Sequence, residues 1–220
     1  MRFVSKWSYA CAYRLAKTMN ESHQKRSVYY YGFFIIIGEL VKGVILISVS
    51  LLLGILLPAL IIAFTFASLR VLAGGYHMDT YGKCLFVSLG LFIAAALIAQ
   101  HTYAYWSLMY LMAIIGVTFL AGLYAVIRYV PRDTPNKPIT DPQEIRKFKR
   151  LSTVYLFVWA AGAAALAGFG YNMVVLSLCF GVLLELFAVT PTGHRFFDRV
   201  KYRLAHKKKN QRKPHNSASI

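Results

Sequence analysis

His77 and Cys84 lie in the stretch Arg70-Val-Leu-Ala-Gly-Gly-Tyr-His77-Met-Asp-Thr-Tyr-Gly-Lys-Cys84, a short polar island between two long apolar runs. A thiol attacks as its thiolate, and an imidazole supplies a proton acceptor near neutral pH. Arg70 and Lys83 would favour the thiolate by charge, and one of them, or backbone N–H groups around Cys84, could stabilise an oxyanion. The implied chemistry is that of a membrane cysteine hydrolase or acyl transferase.

Spacing adds a condition. On a continuous helix, positions seven apart share a face but are separated by about 10 Å along the axis, too far for direct proton transfer. The segment must bend, and Gly74, Gly75 and Gly82 are where it could, because glycine adopts backbone angles closed to other residues. With that bend, His77 serves as general base toward Cys84 and later as acid toward a leaving amine. Asp79, close in sequence, and Asp133, in a later loop, are both candidates to orient His77 as the third member of a triad. Each also reads as a turn residue.

Other chemistries lack their motifs. There is no H-E-x-x-H for a zinc protease and no G-x-S-x-G for a serine hydrolase, so neither metal nor cofactor is expected. His23, His101, His194, His206 and His215 show no ligand spacing. The three cysteines form no C-x-x-C, and Cys11 and Cys179, without a neighbouring base, read as packing residues.

The elements that must position the pair follow from hydropathy. With 58% hydrophobic residues, 15% charged residues and a mean hydropathy of +0.52 over 220 positions, the chain is too apolar for a soluble domain. A helix crosses the hydrocarbon core in about 20 residues. The apolar run from Val28 to Leu69 therefore divides in two at Gly54 and Pro58. The run from Leu85 to Ile127 divides around Gln100–Trp106, and that from Leu151 to Val189 at Gly168–Asn172. The expected fold is an all-α integral membrane protein of six transmembrane helices arranged as three hairpins. An amphipathic interfacial helix precedes them, with Phe3, Trp7, Cys11 and Leu15 at helical spacing beside Lys6, Arg14 and Lys17. Residues 1–27 form that first unit. Residues 28–190 form the membrane domain, with the catalytic segment at 70–84 and a cytoplasmic loop at 128–150, and residues 191–220 a basic tail.

Lysine and arginine placement orients the whole. Basic residues precede the first hairpin and follow each of the three, while the outer turns carry none, which puts both termini and the island on the cytoplasmic face. The net charge of +17 is spread over loops and tails beside spans, so anionic inner-leaflet lipid is the expected partner and nucleic acid is not. Arg128, Arg132 and Lys137 are weak candidates for binding an acidic part of a substrate. Glu39, Lys42 and Glu185 fall inside spans, where an ionisable group usually faces a partner or a cavity. They underlie the competing reading, a small transporter or exporter in which Cys84 is incidental. Gly38, Gly43 and Gly54 would permit close helix approach within a bundle or a homodimer.

Arg70, the pair Gly74-Gly75, His77 and Cys84, in a chain of this hydropathy, resemble the accessory gene regulator B (AgrB) family of integral-membrane cysteine peptidases. The loop Tyr129-Val-Pro-Arg-Asp-Thr-Pro-Asn-Lys-Pro-Ile139 is similar to that family's proline-rich loop, with Val130 and Arg132 where alanines are common. The resemblance implies cleavage of an AgrD-like quorum-sensing precursor peptide near its C-terminal side. The enzyme's cysteine retains the N-terminal portion as a thioester, and an internal cysteine or serine of the peptide then displaces it to give a thiolactone or lactone. It also implies Cys84 as nucleophile, His77 as base, Arg70 and Gly75 as supporting residues, and a homodimer.

Overall fold

A computed structural model describes residues 2–76, 80–131 and 141–210, with side chains described only at 3–202 within those ranges. In chain order, the helices are α1 (Arg2–Thr18), α2 (His23–Leu52), α3 (Leu56–Ala73), α4 (Tyr81–Thr102), α5 (Leu108–Tyr129), α6 (Pro142–Gly168), α7 (Asn172–Val189) and α8 (Pro191–Asn210). A short 3-10 turn, Tyr103–Tyr105, links α4 to α5. Six of them, α2 to α7, are long and apolar enough to cross a membrane. The expected all-α, six-span architecture is what the chain adopts.

The breaks fall where the sequence places them. Gly54, with φ of 68°, turns the chain between α2 and α3, and Gly170, with φ of 79°, turns it between α6 and α7. Two boundaries differ from the hydropathy reading. The helix carrying the first span starts at His23 and runs 30 residues, about 45 Å at 1.5 Å per residue, which exceeds the roughly 30 Å hydrocarbon core. Likewise α6 starts at Pro142, well before its apolar stretch. Asp141 caps it by accepting from the Gln143 N–H at 2.8 Å, and Pro142 occupies a first-turn position where no N–H is needed. Hydropathy marks the apolar part of a helix, whereas capping marks where the helix begins.

Packing centres on α7. It touches α3, α4, α5, α6 and α8, and Val175, Leu176, Cys179 and Val182 on it are fully buried. Close approach relies on small residues, as expected where lipid gives helices no hydrophobic drive to associate. A Cβ on Gly181 of α7 would stand 2.6 Å from the Thr65 Cβ of α3, and one on Gly122 of α5 would stand 3.0 Å from Leu156 of α6. Leu40, Phe64, Phe86, Leu120 and Val158 point outward, the apolar exterior that a hydrocarbon surround permits.

The N-terminal pair is peripheral. Along α1, Val4, Ser8, Ala12 and Ala16 form the buried face and Phe3 and Trp7 stay exposed, in keeping with an amphipathic helix. α1 packs on α2, where the Arg26 guanidinium lies 5.7 Å and 6.0 Å from the Tyr9 and Tyr13 rings. The helix α2 in turn meets the bundle through α3 and α4.

Candidate active site

The polar island has two shoulders, and each is built differently. On the upstream side, α3 ends at Ala73 because Gly74 leaves helical geometry at φ 79° and ψ −150° while its N–H still bonds the Arg70 carbonyl at 2.9 Å. Gly75 follows at φ 144°. Both conformations belong to glycine, since a Cβ would clash with the backbone there. Gly75 is also crowded: a Cβ on it would lie 2.5 Å from Arg70 Nη1 and 3.4 Å from Glu185 Oε1.

Arg70 organises this shoulder. Its Nη2 donates to the Tyr76 carbonyl at 2.6 Å, and its Nη1 meets Glu185 Oε2 at 3.4 Å. The guanidinium also sits 5.5 Å from the centre of the Phe66 ring. Glu185, on α7, is completely buried, and a buried carboxylate needs a cation in place to offset its lost hydration. The rest of Tyr76 is held as firmly. Its N–H donates to Ala188 O of α7 at 3.1 Å, and its hydroxyl donates to Asp198 Oδ1 of α8 at 2.7 Å. Its ring stacks on Phe197 at 5.2 Å and meets the edge of His194 at 5.0 Å.

Downstream, α4 begins at Tyr81 after the extended Thr80. Cys84 sits in its first turn with its N–H on the Thr80 carbonyl at 3.1 Å, and the Ser88 hydroxyl donates to the Cys84 carbonyl at 2.7 Å. Cys84 is partly exposed, whereas Cys179 is buried in the core. The anchor of this shoulder is Tyr81, whose hydroxyl donates to the Gly38 carbonyl of α2 and whose ring meets Phe34 edge-on at 6.0 Å. Gly38 makes room for it, as a Cβ there would approach the ring to 2.7 Å.

Among the described residues, the chain leaves helical geometry at Gly74 and Gly75 and is extended at Thr80. Gly82, the third expected bend position, is an ordinary residue of α4. His77, Asp79, Arg132, Asp133 and Lys137 lie outside the described residues. Arg128 is exposed in the last turn of α5, and Lys149 donates to the Ile127 carbonyl at 2.9 Å, compensating the negative end of that helix.

The three ionisable residues inside spans are not gathered into one path. Glu39 pairs with Lys42 along α2 at 2.6 Å, while Glu185 turns to Arg70. Sequence reasoning grouped Glu185 with the α2 pair and so missed its place beside the island. A signal existed: Arg70 ends the second span and Glu185 ends the sixth, so alternation of spans puts both at the same membrane face. For Tyr76 and its partners on α8 no comparable sequence signal exists.

The family model described as accessory gene regulator B matches residues 8–189. An AgrB-like protein of Clostridium perfringens strain 13 is 26% identical over 191 residues, covering 83% of this chain and 89% of that relative. An AgrB-like protein of Listeria innocua is 25% identical, covering 79% and 80% respectively. No solved structure matches the chain.

Proposed function

The chain belongs to the accessory gene regulator B family, and from that premise we propose that it is a membrane-embedded cysteine endopeptidase that processes a quorum-sensing precursor peptide. In this reading His77 takes the Cys84 proton, and the thiolate attacks the scissile carbonyl on the C-terminal side of the peptide. The C–N bond then breaks as His77 returns the proton to the leaving amine, and the N-terminal portion stays on Cys84 as a thioester. An internal thiol or hydroxyl of the peptide attacks that thioester, its proton passing to His77, and expels the Cys84 sulfur to close a thiolactone or lactone. Holding the peptide's own nucleophile nearby, where water is limited, favours cyclisation over hydrolysis through effective molarity.

The observation that carries the reading is the break between Ala73 and Tyr81. A straight helix would forbid proton transfer between His77 and Cys84, whereas the chain leaves helical geometry at Gly74 and Cys84 lies in the first turn of α4. Arg70 already has Tyr76 and Glu185 on its two terminal nitrogens, which favours it as a builder of the loop. The Lys83 and Cys84 N–H groups already share the Thr80 carbonyl at 3.1 Å, which points to the first helical residues, Tyr81 and Gly82, as the oxyanion donors. The basic residues flanking the spans support a cytoplasmic site in the cell membrane, and exposed Arg128, with Arg132 and Lys137 in the sequence after it, is the proposed contact for an acidic peptide segment. Asp79 and Asp133 stay as candidate orienters of His77.

The test uses the full chain in liposomes with a synthetic amphipathic peptide encoded by a small reading frame beside the gene, carrying an internal cysteine. Cys84→Ala and His77→Ala are expected to abolish cleavage, and wild type to yield a covalent peptide adduct that Cys84→Ala lacks. Cleavage at the wild-type rate by either variant would overturn the proposal.

A further inference from the structure

Resting on the peptidase reading, we infer that Glu185 is a positioning residue for the base, acting on the chain just before His77 through Arg70. The inference stands on how the Tyr76 peptide groups are held. α7 takes the N–H side of Tyr76 directly, through Ala188 O at 3.1 Å. It takes the carbonyl side through Glu185, whose Oε2 holds Arg70 Nη1 at 3.4 Å while Arg70 Nη2 bonds the Tyr76 oxygen at 2.6 Å. One helix thus governs both polar groups of the residue that leads into His77.

Peptide planarity carries that control one residue further. The Tyr76 carbonyl oxygen is coplanar with the nitrogen and Cα of the next residue, because the intervening C–N bond has partial double-bond character. Fixing the oxygen fixes the plane from which residue 77 departs. Gly75 shows how tightly the loop is set against the guanidinium, since no side chain fits between them. A shift of Arg70 toward Gly75 would then displace the 75–76 backbone.

A purely structural role for Glu185 would not need a carboxyl group. It is wholly buried in the bundle, where an apolar side chain of similar volume packs without desolvation, and replacing a buried ion pair by apolar residues is often neutral or stabilising. What the carboxylate provides and an apolar residue would not is a fixed anchor for a cation that reaches the loop. Its second oxygen, Oε1, faces Gly75 and has no hydrogen-bond partner among the described residues.

Alkylation of Cys84 by iodoacetamide tests the inference without a peptide substrate. The full chain in liposomes is labelled across a pH series and the modification of Cys84 is quantified by mass spectrometry, with Cys11 as internal reference. Alkylation follows the thiolate, so His77→Ala should slow Cys84 labelling about tenfold at pH 7, the effect of one pH unit in the profile, with convergence at high pH. Glu185→Ala should move the profile to that of His77→Ala, and Glu185→Gln, which keeps an acceptor for Arg70, should restore most of it. If Glu185→Ala keeps the wild-type profile, or lowers the rate equally at every pH, the inference fails while the peptidase reading stands. Should His77→Ala itself leave the profile unchanged, the His77–Cys84 pairing fails. If Glu185→Ala aggregates, Glu185→Leu, which fills a similar volume, takes its place. A wild-type profile from it overturns the inference, and one moved to that of His77→Ala supports it.

Discussion

The two shoulders of the island are secured by opposite means. Upstream, the chain before His77 is fastened to the centre of the bundle by charge and main-chain bonds: Arg70, Glu185 and Ala188 clamp Tyr76 while α8 holds its ring. Downstream, the start of α4 that carries Cys84 meets the peripheral helix α2 through Tyr81, seated over Gly38, and is held by the burial of Leu85 with no charged anchor beside it among the described residues. A base must point in one direction to take a proton, whereas a nucleophile must approach a substrate carbonyl and then release it. On the proposed mechanism, the firmly held shoulder therefore suits a base at His77 and the more lightly tethered one a nucleophile at Cys84.

The largest break in this comparison should come from Gly75→Ala. The added methyl meets Arg70 Nη1 at 2.5 Å and the backbone is at φ 144°, so either the guanidinium or the loop must move, and both are fixed to α7. A displacement of about 1 Å near reacting groups costs on the order of 100-fold in rate, and strain of this kind costs roughly 1–3 kcal/mol. Initial rates of peptide cleavage in liposomes should fall by at least that order. A rate near wild type would show that the upstream shoulder is not rigid.

Gly38→Ala is the matching change downstream, and it should do less. The new methyl would come 2.7 Å from Tyr81 Cε2, but that ring can swing outward where Arg70 cannot. The expected fall in cleavage is about tenfold, corresponding to one lost hydrogen bond to the Gly38 carbonyl plus a small shift of the α4 start. A loss as large as that of Gly75→Ala would mean that Cys84 is held as tightly as the base.

Tyr76→Phe probes the outermost layer of the upstream clamp. It removes the bond to Asp198 at 2.7 Å, which is exposed, and keeps the ring stacked on Phe197. An exposed hydrogen bond contributes about 0.5–1.5 kcal/mol at most, so cleavage should fall by no more than about tenfold. Phe197→Ala, which removes the stacking surface itself, should cost more than Tyr76→Phe in the same assay.

Sequence reading reached this site unevenly, for physical reasons. Span number, turn positions and the need for a glycine bend are local properties of hydropathy and backbone freedom, and they were legible at Gly54, Gly170 and the Gly74-Gly75 pair. Contacts between distant segments are not local. Nothing in the stretch around Glu185 distinguishes a carboxylate that reaches Arg70, 115 positions away, from one that lines a cavity. Periodicity likewise marks the apolar face of α8 without saying that Phe197 and His194 close over Tyr76. Gly82 illustrates the converse: glycine permits a bend, but Tyr81 and the cap at Thr80 start a regular helix there and the permission goes unused.

The smallest effect should come from the other ionisable pair inside a span. Glu39 and Lys42 are three residues apart on α2 and bond each other at 2.6 Å, with the Glu39 side chain 63% exposed. Such a pair satisfies itself within one helix, and similar side-chain pairs stabilise a helix by about 0.2–0.5 kcal/mol. Replacing both, as Glu39→Gln with Lys42→Met, should therefore leave peptide cleavage within about twofold of wild type, although Gly38 lies beside them. Loss of transport of a labelled peptide or ion by that double variant, with cleavage intact, would instead revive a conducting role for α2. Loss of cleavage would show that the pair steadies the Tyr81 anchor, and the lightly tethered shoulder would then depend on charge after all.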